Sequence, residues 1–202
     1  MAAVPHVLLD DFLPAAVHQG LLAHTLNVND FALGRVVADG QTDYRPDARK
    51  GHLSDDRLGP HLPAFRTALH RAFGAIYPAL GMAAFDLAEI EIRLAAHTDG
   101  DFFSPHRDTL TGSDRRFTMR DRMITAVYYF HQQPRAFAGG ELRIYPFNAT
   151  APLLVEPRDN RLVAFPSFML HEVLPVTVPG GGFANSRFSV SCWYDRNRAG
   201  PV

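Results

Sequence analysis

The sequence predicts a mainly β domain with α-helices at its N-terminal end. From Leu87 onward apolar residues recur with period two, the mark of half-buried strands. Short runs of this kind follow one another, separated by Pro, Gly and Asn. The three-and-four spacing of an amphipathic helix is confined to the first third of the chain. Many short strands at such spacing argue for a sandwich or barrel, with a double-sheet jelly roll among the options.

In chain order, a first helix starts after Asp11, with Pro14 near its first turn and Val17, Leu21 and Leu22 as apolar residues. A second runs from Pro60 to Leu80, with Leu62, Phe65, Leu69, Phe73 and Ile76 on one face and Gly81 as its stop. The polar segment 34–59 between them, rich in Asp, Arg, Gly and Pro, reads as a long loop, and loops of that length are usually functional or mobile. Ile90, Ile92 and Leu94 then alternate with Glu89, Glu91 and Arg93. Further strands are expected at Arg122 to His131, Glu141 to Pro146, Arg161 to Phe165, Leu170 to Val176 and Ser186 to Tyr194.

The chain has 202 residues, enough for one domain that buries roughly 70% of its unfolded surface. We expect residues 1–202 to form that single domain, with 1–86 as a helical elaboration and 87–195 as the β core. A net charge of −1, from 20 basic and 21 acidic residues, provides no field to attract nucleic acid or a membrane surface. No sustained basic stripe with interleaved aromatics is present, which disfavours a nucleic-acid substrate. No stretch approaches the roughly 18 apolar residues of a membrane span. One cysteine, Cys192, excludes an internal disulfide framework and fits a reducing, cytoplasmic setting. Oligomeric state is not written in the sequence.

Chemistry enters with His106-Arg107-Asp108 and the downstream His171. On an extended chain, residues i and i+2 point to the same side, so His106 and Asp108 can grip one ion. Two histidines and one carboxylate are the ligand set of the facial triad that holds Fe(II) and leaves positions open. Ten histidines in 202 residues make H-x-D easy to find by chance, and a lone His171 has an ordinary reading as a core or surface histidine. Alternation places Arg187, Ser189, Ser191 and Trp193 on one face of a strand, opposite Phe188, Val190 and Cys192. An arginine followed by small hydroxyls can seat a carboxylate, although an edge arginine facing water fits the same pattern. Thr125, Val127 and Tyr129 share one face of another strand, with Ile124, Ala126, Tyr128 and Phe130 on the opposite face, facing the helices. Tyr129 could complete a carboxylate site beside Arg187 or be ordinary core.

Together these pieces resemble the Fe(II)/2-oxoglutarate-dependent dioxygenases, closest to their prolyl-hydroxylase-like branch. The matching order is His106-Arg107-Asp108, Arg122 to Phe130, Gly139-Gly140-Glu141-Leu142, Arg161 to Phe165, His171 to Val176, then Arg187-Phe188-Ser189 with Trp193 beyond. The resemblance covers about residues 87 to 195. It implies a double-stranded β-helix core, with His106, Asp108 and His171 as catalytic iron ligands. Arg187, Tyr129 and Ser189 would hold 2-oxoglutarate. The implied cofactors are Fe(II), 2-oxoglutarate and O2, with ascorbate as a supporting reductant.

Arg122 and His97 are candidate substrate residues. His97 stands near the place where many relatives carry a tyrosine, and could replace it as a hydrogen-bond donor. The spacing from His171 to Arg187 is longer than usual in the branch, the excess falling at Pro179 to Asn185. Polar segments 34–59 (with Arg45, Arg49 and Lys50) and 109–121 (with Arg115, Arg116 and Arg120) are candidate lids. Their arginines could hold a substrate carboxylate or an acidic peptide, or simply be solvated. The expected activity is hydroxylation of a small molecule such as an amino acid or biosynthetic intermediate. A peptidyl or protein prolyl hydroxylase is the runner-up, and a non-catalytic metal- or 2-oxoglutarate-binding sensor is the alternative of another class. A cupin-type metal site would have no need of Arg187.

Overall fold

The computed structural model describes residues 4–38, 41–56, 58–109, 118–147 and 151–198. In chain order the elements are β1 (Val7–Leu9), α1 (Ala15–Thr25), β2 (Ala32–Leu33), β3 (Val36–Ala38), β4 (Gln41–Asp43), β5 (Arg49–Lys50), β6 (His52–Ser54), α2 (Leu62–Ala79), β7 (Leu87–His97), β8 (Phe102–His106) and β9 (Arg120–Phe130). Then come β10 (Ala138–Gly139), β11 (Leu142–Ile144), β12 (Leu153–Val155), β13 (Arg161–Pro166), β14 (His171–Val173), β15 (Val176–Thr177) and β16 (Arg187–Asn197). Two sheets carry the fold. The larger has strand order β1-β13-β9-β16-β7-β6-β2, the smaller β12-β11-β14-β8-β5. This is a jelly-roll core, as the sequence predicts.

The helices cover the outer face of the larger sheet. Helix α2 buries Phe65, Leu69 and Ile76, spaced to fall on one face, and its C-terminal end is turned by Gly81 at φ +70°. Against that face lie Ile124, Ala126, Tyr128 and Phe130 of β9 and Phe188, Val190, Cys192 and Tyr194 of β16. Each such large apolar side chain stabilises the fold by about 1.5–3 kcal/mol on burial. Because side chains alternate along a strand, the remaining residues of β9 and β16 face the smaller sheet instead. A second cluster, including Tyr129, Leu142, Ile144, Val163 and Phe165, packs between the two sheets.

The polar segment 34–59 departs from its expected loop character. It contains β3 to β6, with β6 paired to β7 (Leu53 opposite Ala95) and β5 paired to β8 (Arg49 opposite Phe103). Backbone pairing at a sheet edge needs no apolar run, so polar composition did not prevent it. The expected strand from Leu170 to Val176 is split into β14 and β15 across Leu174-Pro175, since proline has no N–H to donate to a ladder. Arg115 and Arg116 of the second candidate lid lie outside the described residues. No described helix is long and apolar enough to cross a membrane.

Candidate metal and anion site between the two sheets

His106 ends β8 and His171 opens β14, and the two are direct partners in the ladder. Asp108 lies two residues beyond β8, its backbone N–H donating to Ser167 O at 3.1 Å. Backbone pairing alone thus gathers three residues separated in sequence. Their ligand atoms all lie within 4.8 Å of one another. His106 Nε2 is 3.7 Å and His171 Nε2 3.5 Å from the Asp108 carboxylate.

The donor set fits a divalent ion. His106 Nδ1 donates to Ser104 O at 2.8 Å and His171 Nδ1 to Met169 O at 3.0 Å. Those bonds fix the tautomer and leave both Nε2 lone pairs facing Asp108. Burial, followed by the neighbouring His171, pushes His106 down to about 4, so its imidazole is neutral. Burial works to raise the Asp108 carboxyl, but His171 and His106 outweigh it and hold Asp108 below its ordinary value. The Thr125 hydroxyl donates to Asp108 Oδ2 at 2.7 Å and lies 3.0 Å from Ser167 Oγ. The structure brings His106, Asp108 and His171 together and adds Thr125, placed by the sequence only on one strand face with Val127 and Tyr129, as a donor to the carboxylate. Thr125→Val keeps the shape and removes the donor. It should lower Fe(II) affinity by about 10–100-fold, measured by competition with a metal chelator. Unchanged affinity would remove Thr125 from the site.

Deeper in the same pocket, Arg187 of β16 is 1% exposed. Its Cζ lies 4.7 Å from the centre of the Tyr129 ring, and its Nη1 is 3.5 Å from Ser189 Oγ. Among the described residues no carboxylate lies within ion-pair distance of Arg187. Its Nε and the Tyr129 hydroxyl are both buried without a hydrogen-bond partner. A buried cation with idle donors is costly unless an anion arrives. Burial raises Tyr129 above its ordinary value despite Arg187, so it remains a neutral donor. These orphaned groups fit one carboxylate of 2-oxoglutarate, with the His106–Asp108–His171 set in the same pocket.

His97 belongs to this group by geometry. It sits opposite Arg187 in the β7–β16 ladder, and its Nδ1 accepts from Arg187 Nη1 at 3.3 Å. Burial, then Arg187, Arg49 and His52, hold His97 well below its ordinary value. The ring is therefore neutral and its buried Nε2–H has no partner. Arg122 is placed differently. Its guanidinium lies 4.0 Å from the Trp193 ring centre and its Nη2 donates to Glu91 at 2.7 Å. It does not line the pocket, whereas Trp193 does.

Gly140 gives Arg187 its room. At φ +72°, a Cβ there would come within 2.6 Å of Arg187 Cδ and 2.9 Å of Val176 Cγ2. Gly140→Ala should displace Arg187 and raise the half-saturating 2-oxoglutarate concentration at least about tenfold, since an ångström of misplacement can cost ~10²-fold. A titration with unchanged midpoint would refute this.

Residues 92–195 match the model of the 2OG-Fe(II) oxygenase superfamily. An uncharacterized PKHD-type hydroxylase of Synechocystis is 41% identical over 122 residues, covering 56% of this chain and 39% of the relative. The chain therefore spans well under half of that relative's length. The crystal structure of a Pseudomonas putida prolyl-4-hydroxylase aligns with TM-score 0.70 and 25% identity, covering 96% of this chain and 94% of that one. A Trichoplax adhaerens prolyl hydroxylase, in complex with a hypoxia inducible factor peptide fragment, aligns with TM-score 0.71 and 17% identity over 94% and 83% of the two chains. The match spans every metal-binding candidate and Arg187, and the chain belongs to the 2OG-Fe(II) oxygenase superfamily.

Proposed function

We propose that this protein is a 2-oxoglutarate-dependent hydroxylase acting on a small molecule such as an amino acid or biosynthetic intermediate. The observation that carries the reading is the buried Arg187, without a counter-ion among the described residues, in one pocket with His106, His171 and Asp108. Bound Fe(II), 2-oxoglutarate and O2 supply oxidation of an unactivated C–H bond to an alcohol, with release of succinate and CO2. The protein's own contribution is placement and exclusion of water. His106, Asp108 and His171 would hold the iron. Arg187, with Tyr129 and Ser189, would bind the distal carboxylate of the cosubstrate, and His97 would keep the guanidinium in position. Arg122, stacked on Trp193, would act on the substrate through that indole. The single, buried Cys192 suits a reducing, cytoplasmic setting.

A second reading, peptidyl prolyl hydroxylase, draws support from the prolyl hydroxylases among the structural neighbours. The deciding assay is succinate formation by anaerobically purified protein given Fe(II), ascorbate, 2-oxoglutarate and O2, with His106→Ala as control. Succinate that disappears in the variant is the expected result. Neither succinate nor 2-oxoglutarate binding in the wild type would return the sensor reading.

A further inference from the structure

The pocket contains a second unsatisfied arginine, for which the cosubstrate has no use. Arg49 lies on β5 at the edge of the smaller sheet, opposite Phe103 of β8. Its Cζ is 4.6 Å from the Phe103 ring centre. Phe103 in turn stacks on His106, with ring centres 3.5 Å apart. One aromatic ring therefore separates this guanidinium from a metal ligand. Arg49 lines the same pocket as Trp193, and its Nε is buried with no hydrogen-bond partner. Among the described residues no carboxylate lies within ion-pair distance of it. The other arginine at this wall, Arg93, already has Glu91 at 3.3 Å. Burial, then Arg93, lower Arg49 to about 10, so it remains charged near neutrality, and Asp108 is the carboxylate that acts in the opposite direction.

Charge balance indicates what Arg49 lacks. In the loaded site, the two positive charges of Fe(II) and that of Arg187 are matched by the two carboxylates of 2-oxoglutarate and by Asp108. Arg49 is left over. A partly buried guanidinium with no counter-ion is unfavourable, and its planar fork matches a carboxylate. We propose that Arg49 binds a carboxylate of the primary substrate, so that this enzyme acts on a small carboxylic acid held beside His106. The inference rests on the hydroxylase reading above and narrows its substrate class. An internal prolyl residue of a peptide, flanked by neutral amides, would leave Arg49 unpaired.

Trp193 is the chain's single tryptophan, so its fluorescence reports occupancy of the pocket. The test uses anaerobic protein loaded with Fe(II) and 2-oxoglutarate. It is titrated with free amino acids, L-proline first, each beside its primary amide, and with short prolyl peptides ending in a carboxylate or an amide. At least one acid should bind about tenfold more tightly than its amide, and Arg49→Gln should erase that gap. Arg49→Lys, which keeps the charge, should retain part of it, and in both variants 2-oxoglutarate affinity should stay within about twofold. A preference for peptides with a free C-terminus over free amino acids would support the carboxylate and assign it to a chain end. If acids and amides bind alike, if no acid binds, or if Arg49→Gln weakens 2-oxoglutarate equally, the proposal is overturned. A wild type that consumes 2-oxoglutarate but shows no acid preference sinks this inference alone. A wild type that neither binds nor consumes it sinks the hydroxylase reading beneath.

Discussion

Asp108→Ala is expected to abolish succinate formation, with a loss of at least about 10³-fold, equivalent to ~4 kcal/mol. His171→Ala should do the same. Asp108 is the one carboxylate of the ligand set, and its removal leaves only His106 and His171 to hold a dication. His171 has its Nδ1 committed to Met169 O, so it offers a single aimed lone pair that no neighbour can replace. Metal content after anaerobic reconstitution separates this cause from misfolding, since both variants should remain folded yet metal-poor. Asp108→Asn is the sharper comparison. It preserves an oxygen for the Thr125 hydroxyl but removes the charge, so it should retain the fold of the site while losing most of the iron. Full turnover in either alanine variant would dismiss the metal assignment.

Much of this site could be read from sequence because it lies on long, regular strands. β9 and β16 are each 11 residues, and strict alternation sorts their side chains into a helix-facing set and a pocket-facing set. That is how Tyr129, Arg187, Ser189 and Trp193 came out on the correct face. His106 and Asp108 were legible through their spacing, and His171 through its place in the family's order. Cross-strand register was not legible. The contact of His97 with Arg187 depends on which residue of β7 faces which residue of β16, information held by the ladder rather than by either strand. Arg49 was legible only as one of several arginines of a candidate lid, and its place in the sheet was not. It lies on a two-residue strand in a segment with no hydrophobic period, so composition pointed to loop. Its position beside Phe103 arises only when β5 joins the edge of the smaller sheet. The stacking of Arg122 on Trp193, with Glu91 beneath, likewise depends on three neighbouring strands.

Arg187→Met should give two opposite changes. In the absence of ligand the variant should melt several degrees higher than the wild type. Replacing a buried, uncompensated cation with an apolar side chain of similar length relieves a desolvation cost, and such exchanges stabilise proteins by up to ~1–4 kcal/mol. At 2–4 °C per kcal/mol for a chain of this size, the shift is measurable by calorimetry. Binding should move the other way. Loss of a buried charged hydrogen-bond partner costs about 2–5 kcal/mol, which raises the dissociation constant for 2-oxoglutarate by roughly 30-fold or more. At a concentration one hundred times the wild-type dissociation constant, 2-oxoglutarate should stabilise the wild type by ~2.7 kcal/mol and the variant by less than about 1 kcal/mol. A structural arginine would behave in reverse, since its loss would lower the melting point and leave the ligand response intact. The sign of the unliganded shift thus tests whether Arg187 is buried at the expense of the empty protein because the cosubstrate's carboxylate completes it.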